Sequence, residues 1–513
     1  MTLLLLTTLL LQSDQDLMRS RKLLDQAEQL AEAIQTPSLK SSALGKIAEI
    51  RAQAHDAEGS LRILGKIPDL YEQSLGYVSV ANMLTKNGDA KEARRIVFLG
   101  LKASGEGEKD FRTGSGVAHL VIALAKSGDL DGAVKRLEMV PPGPTGKNYA
   151  ANEVAFVLAS HGRLERALEM LAGSNDETYV QCINEMVKEL DPAFALPLVQ
   201  KVRAMHIRGR AQTTIVEAQF KRGRSDDAVT TARSIEDPSA KALILIWLAA
   251  ELRSTKPDLA AGLLALARSS GDAIDPPSIR FHVWANLSRS WARAGKPENA
   301  LRFADLAENA QREIGEFWVK RPALGEVGAA YAAGGNLAKA LQIATSDPEA
   351  NPDEILTEIA EAQAEMGDFK GSLKTIEPCK NQSHHSRVLL EISKREQKPE
   401  ESRKRLTEAA AAMESVEIRG FVNENPMLGL LSNIMEALAK AGDFHGSVKI
   451  ALRIRQDLGD WYGGFDLRRV AMWQAGAGKL EDALDWIGKL EEPLPKSLAL
   501  TGAAEGILER VRR

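Results

Sequence analysis

Leu124-Ala125-Lys126-Ser127-Gly128-Asp129-Leu130-Asp131-Gly132-Ala133-Val134 governs the reading of the whole chain, because it recurs with drift from end to end. It returns as Leu84-Thr85-Lys86-Asn87-Gly88-Asp89-Ala90-Lys91-Glu92-Ala93, and again as Leu438-Ala439-Lys440-Ala441-Gly442-Asp443-Phe444-His445-Gly446-Ser447. Apolar residues at helical spacing precede the glycine (Val117, Leu120, Val121, Leu124) and follow it (Ala133, Val134, Leu137), so two helices meet there. Glycine supplies the positive φ that ends the first helix, and the following Asp or Asn caps the second. Ala or Ser five residues after the glycine lets the second helix lie close against the first.

Working outward from this turn, the same spacing gives Gly88/Ala93, Gly128/Ala133, Gly162/Ala167, Gly223/Ala228, Gly295/Ala300, Gly335/Ala340, Gly367/Ser372, Gly442/Ser447 and Gly478/Ala483. Units without the glycine fill the gaps in phase at His55/Ser60, Leu190/Ala195, Thr255/Ala260 and Gln397/Ser402. The anchors are about 35 residues apart on average, the period of helical-hairpin repeats. Proline and polar residues between units, as in Ile67-Pro68-Asp69, Glu236-Asp237-Pro238 and Ser346-Asp347-Pro348, are expected to stop the second helix. Longer steps hold insertions at 104–116, 269–280 and 413–426, which are the expected joints. No apolar stretch has the period of a strand. Leu190, Thr255 and Gln397, which lack the turn glycine, are where the array should be least regular.

At 513 residues and 44% hydrophobic, the chain exceeds what one compact core holds. With 66 basic against 70 acidic residues and a net charge of -4, it has no general footprint for a polyanion, which argues against nucleic acid as a partner. Cys182 and Cys379 lie far apart and read as buried small hydrophobes rather than a disulfide or metal pair. His384 and His385 are neighbours, but adjacent residues do not share a helix face, so a solvated loop is expected and no metal site. Pro144-Thr145-Gly146-Lys147-Asn148 lacks the leading glycine and the hydroxyl of a phosphate loop and reads as an inter-repeat turn. No cofactor is implied. The apolar run Leu3 to Leu11 is too short to span a membrane; residues 1–14 read either as a signal remnant or as a degenerate first helix, with a turn over 13–16 and a partner helix from Leu17 to Ile34. Location is accordingly open between the cytoplasm and export.

The units resemble tetratricopeptide repeats. Trp284, Leu287, Ser288, Trp291, Gly295, Ala300, Ala304 and Ala307 follow the spacing of that family, and Leu324, Val327, Gly328, Tyr331, Gly335, Ala340 and Ala344 nearly do. The resemblance covers roughly residues 40–510 and departs from the family where Arg51, Gln219, Gln363 and Gln474 replace an aromatic residue in the first helix; these polar groups need partners at a packed seam. Pentatricopeptide repeats share the period, but the acidic balance, the ragged steps and the lack of a repeated base-reading pair argue against them. The implied fold is all-α: a right-handed α-solenoid of about thirteen antiparallel helical hairpins, with an N-terminal array over 15–270 and a continuous C-terminal array over 271–513. The implied function is a non-catalytic scaffold that binds a protein or peptide on the concave face. On the best unit, His282, Asn286, Arg289 and Arg293 point into that groove, opposite the small residues Gly325, Ala329 and Ala333, which should leave an apolar trough beside a basic edge. The family's carboxylate clamp is not carried over, because Leu245, Ile246 and Ala249 stand where it would be. The alternative is a helical-toroid hydrolase or lyase with paired carboxylates. Its stacking platforms are sparse: seven Trp, six Tyr and twelve Phe, with all the tryptophans at or after Trp247 and Trp284, Trp291 and Trp473 at packing positions.

Overall fold

A computed structural model describes residues 2–105, 111–142, 146–315, 317–347, 350–417 and 426–512, and side chains within these except 2–14, 105, 111–113, 317–318 and 321. The described residues form 28 α-helices and no strand, arranged as successive antiparallel hairpins, an α-solenoid type of array with tetratricopeptide-like turns. They fall into two compact units: Met1–Ala172 together with Met435–Arg513, and Gly173–Ile434. Residue 270, where the sequence suggested a subdivision, lies inside the second unit.

All nine turn glycines adopt positive φ, between 70° at Gly295 and 91° at Gly128, and His55 joins them at 55°. The following N–H then reaches back five residues, as from Asp129 to the Leu124 carbonyl at 3.2 Å and from Asp56 to the Arg51 carbonyl at 2.9 Å, which satisfies a carbonyl the helix end would leave open. Where the next residue is Asp or Asn, its side chain caps the second helix: Asp129 accepts from Gly132 N–H, Asn336 from Lys339 and Asp443 from Gly446. Of the three units expected to be irregular, the one at Leu190 is so, while those at Thr255 and Gln397 make the turn without a positive φ but keep full second helices, Pro257–Gly271 and Pro399–Met413. At Leu190 the backbone turns extended, and a short 3-10 turn over Pro192–Ala195 with a helix of four residues, Leu196–Val199, replaces the second helix. At Gln397 an extended Glu396 leads directly into Pro399–Met413, and at Thr255 the chain closes through the Leu252 carbonyl.

The small residue five positions after the glycine is the crossing point of each hairpin. Ser60, Ser372 and Ser447 donate from Oγ to the carbonyls of Ala48, Ala360 and Met435, each twelve residues earlier, at 2.7, 2.6 and 2.9 Å. In the Ala300 hairpin the direction is reversed: Ser288, twelve residues before, donates to the Ala300 carbonyl at 2.7 Å. Ala93, Ala133, Ala167, Ala228, Ala300, Ala340 and Ala483 are fully buried, as close helix contact requires. Pro68 lies between helices as expected, and Pro348 lies outside the described residues. Pro238 opens the next helix, as do Pro257, Pro277, Pro297, Pro352 and Pro399, where the missing N–H costs nothing.

In the second unit the core runs through Leu245, Leu248, Leu263, Phe281, Leu287 and Phe303, each contributing about 1.5–3 kcal/mol by leaving water. Trp284 stacks on Phe303 with centroids 5.8 Å apart. In the first unit the helix Pro493–Arg512 packs against both Asp460–Gly476 and Thr2–Glu32. Ser497 donates to the Ala27 carbonyl at 2.8 Å, Ser20 to the Ala504 carbonyl at 3.3 Å, and Arg510 pairs with Asp16 at 2.8 Å. The turn expected over 13–16 does not occur: Thr2–Glu32 is one helix, since that polar stretch holds neither Gly nor Pro to break it. The side chains of Leu3 to Leu11, residues 143–145 of the supposed phosphate-loop mimic, and parts of the 104–116 and 413–426 joints lie outside the described residues.

Candidate functional site

The Pro277–Arg293 helix shows why the sequence placed its candidate residues on one face. From Phe281 to Ser290 only His282, Asn286 and Arg289 are not buried, and Arg293 continues the same row one turn on. The row is engaged within the unit. His282 Nδ1 lies 2.7 Å from Glu326, and Asn286 donates to the His282 carbonyl at 2.8 Å. Arg289 and Arg293 converge on one carboxylate, Glu365, with Arg289 Nε at 3.2 Å and Arg293 Nη2 at 2.6 Å. Arg395 approaches it from the other side at 3.7 Å.

Glu365 ends Pro352–Glu365, two hairpins downstream, so the bridge passes the intervening Phe317–Ala333 helix. The small residues expected to leave a trough are what let it pass. Ala329 and Ala333 are buried against Ala292, Ala300 and Ala362, and a Cβ on Gly325 would sit 2.9 Å from Glu358 Cγ. The trough is therefore filled by the protein's own packing. A second correction concerns charge. Glu354, Glu358, Glu361 and Glu365 follow one another along a single face, and Arg387 donates to the first three at 2.8, 3.5 and 3.0 Å. Arg395 also takes Glu391. The expected basic edge is neutralised in place, because carboxylates at least match the arginines along the row.

Burial alone would raise the Glu365 carboxyl, but the Arg289 and Arg293 guanidiniums outweigh it and hold the group below the usual carboxylate range. Glu361 goes the other way: burial, aided by Glu358 and Glu391, raises it despite Arg387. A hydrolase would need a carboxylate free to pass a proton beside a second one across the bond. Here each of the four is tied to an arginine, the arrangement of structural ion pairs.

The other sequence candidates resolve individually. Arg51 is buried and donates to Glu28 at 3.2 Å and Asp56 at 2.7 Å; Gln363 accepts from Thr375 at 2.6 Å; Gln474 accepts from Trp486 at 2.9 Å. Gln219 is the exception, its Oε1 buried without a partner among the described residues. Burial pushes the Cys182 and Cys379 thiols up to about 12, so neither is a ready nucleophile. His384 is not on a solvated loop. It lies on Gln382–Arg395, is 7% exposed, and meets Thr357 Oγ1 at 2.9 Å. Sequence reading missed it because Thr357 belongs to the preceding hairpin. Among the described residues no three or more His, Cys, Asp or Glu side chains are grouped to hold a metal, and no helix is long and apolar enough to cross a membrane.

No known family matches the sequence, and no curated protein does. Among solved structures, Ton1535 from Thermococcus onnurineus NA1 is 17% identical over 63% of this chain and 98% of its own, with a TM-score of 0.27. The Naa15/Naa10 complex bound to HypK-THB is 16% identical over 95% of this chain and 88% of its own, with a TM-score of 0.28. The pentatricopeptide repeat protein PPR10 from maize is 12% identical over 92% and 95%, with a TM-score of 0.24. Similarities this low identify neither a relative nor a partner, and the expectation against nucleic acid gains nothing from them.

Proposed function

We propose that the chain is a non-catalytic binding scaffold that takes a protein or peptide partner along the row formed by the first helices of its hairpins, centred on His282, Asn286, Arg289 and Arg293. The supporting observation is the convergence of Arg289 and Arg293, 26% and 32% exposed, on the single carboxylate of Glu365. Two guanidiniums fixed around one carboxylate are a formed receptor for that group, and a partner's carboxylate competes with Glu365 for it. The alternating Arg and Glu side chains of the row suit a partner of mixed charge, read by complementarity more than by area.

The experiment is affinity purification with mass spectrometry on the full chain, on an Arg289→Glu, Arg293→Glu variant and on Glu365→Gln. Charge reversal is expected to remove the principal partner, and Glu365→Gln to retain or strengthen it by removing the competing negative charge. A partner set identical across all three would sink the proposal.

A further inference from the structure

A cleft of about 560 Å³ opens where the hairpin of Pro238–Leu252 and Pro257–Gly271 meets that of Pro277–Arg293 and Pro297–Arg312. It lies at the turn end of the two hairpins, where the ion-paired row ends at Arg293. Its floor is apolar, with Ala249, Ala260, Leu264 and Trp291, and its rim carries three cations, Arg253, Arg293 and Lys296, against one carboxylate, Asp258. Arg253 donates to the Arg293 carbonyl at 3.1 Å, which draws the ends of two first helices together at the mouth.

Two of the three rim cations are open. Arg293, like Arg289, is taken by Glu365, and Arg387 by three glutamates, whereas among the described residues no carboxylate pairs with Arg253 or Lys296. The first turn of Pro257–Gly271 also lines the cleft. It has no side-chain cap, because Lys256 at that position carries no acceptor and its ammonium pairs with Asp226 at 3.0 Å, so the open N–H groups of a fifteen-residue helix add to the same field, against Asp258 in that turn. The Trp291 indole N–H is buried in the wall without an acceptor among the described residues.

We propose that this cleft takes an acidic peptide segment of a partner protein, its carboxylate held by Arg253 and Lys296 at the mouth and an adjacent apolar side chain seated over Leu264 and Trp291. Two open cations with one neighbouring carboxylate match a single carboxylate better than a polyanion, and the apolar floor gives a place to the residue beside it. Arg253 and Lys296 lie outside the row invoked for partner binding, so either proposal can fail without the other.

The test follows indole N–H resonances of the full chain by NMR, with Trp291→Phe assigning the Trp291 signal. The probes are Ac-Ala-Glu-Leu-Glu-Leu-Ala-NH2, its Gln counterpart, an uncapped Ala-Ala-Leu-Ala-Leu, inorganic phosphate and a single-stranded RNA oligonucleotide. The Glu peptide or the uncapped peptide is expected to shift the Trp291 signal saturably, and which of the two does so identifies a side-chain or a terminal carboxylate. Arg253→Glu and Lys296→Glu, at exposed positions and each shown to be folded by its thermal unfolding curve, are expected to weaken binding roughly tenfold or more each, the loss of a charge-assisted contact. Absence of a shift, an equal shift with the Gln peptide, preference for phosphate or RNA, or unaltered affinity in both folded variants would overturn the proposal.

Discussion

His55 holds a φ of 55° at a position where nine other hairpins place glycine. A Cβ in that conformation costs about 1–2 kcal/mol, part of which a glycine would give back as unfolded-chain entropy. His55→Gly is therefore expected to stabilise by roughly 0.5–1 kcal/mol and Gly128→Ala to destabilise by about 1–2 kcal/mol, read from denaturant midpoints. Opposite signs would remove the turn from the explanation of the repeat. His384 is the residue that sequence could not place. Burial holds its imidazole below the ordinary value, against the pull of Glu354 and Asp353 and with the push of Arg387 and His385. The unfolded chain therefore takes up the proton first, so this stability is whole above about pH 6.5 and is lost as pH falls through the folded value. His384→Gln should make the fall in melting temperature between about pH 7 and 5 shallower than in the parent; parallel curves would refute the assignment.

Single hairpins were legible in the chain because their determinants are local: the glycine, the capping Asp or Asn, and the small residue twelve positions beyond its partner in the first helix. Ala300 illustrates the tightness of that crossing, being fully buried with its carbonyl accepting from Ser288. Ala300→Leu is expected to cost about 1–3 kcal/mol by overpacking, and an unchanged melting temperature would contradict the register. What joins one hairpin to the next was not legible. Arg289 and Glu365 are 76 residues apart, and no local spacing marks them as a pair. The Thr2–Glu32 helix shows the converse: a polar stretch suggests a turn, but without Gly or Pro the backbone continues as helix and needs no apolar residue there.

The first compact unit is built from two stretches distant in sequence, and its closest packing is between Asp460–Gly476 and Pro493–Arg512. A Cβ on Gly502 would lie 2.1 Å from the Arg468 carbonyl oxygen, and one on Gly506 2.2 Å from that of Met472, so the two backbones are in contact. Gly506→Ala is expected to cost about 1–3 kcal/mol, seen by calorimetry as an earlier transition of this unit; an unmoved transition would mean the helices can separate freely. Periodicity predicted that both stretches are helical hairpins, but their association depends on Ser20, Ala27, Ser497 and Ala504, ordinary helix residues whose meeting no repeat encodes.

That meeting sets a timetable for synthesis. The Thr2–Glu32 helix leaves the ribosome long before Pro493–Arg512 exists, and at ordinary elongation rates of about 5–20 residues per second it waits on the order of 20 to 90 s for the helix that covers it. Throughout that interval the nascent chain presents the face that later receives Ser497 and Arg510, so this unit stays open until residues 493–512 have been made and have emerged.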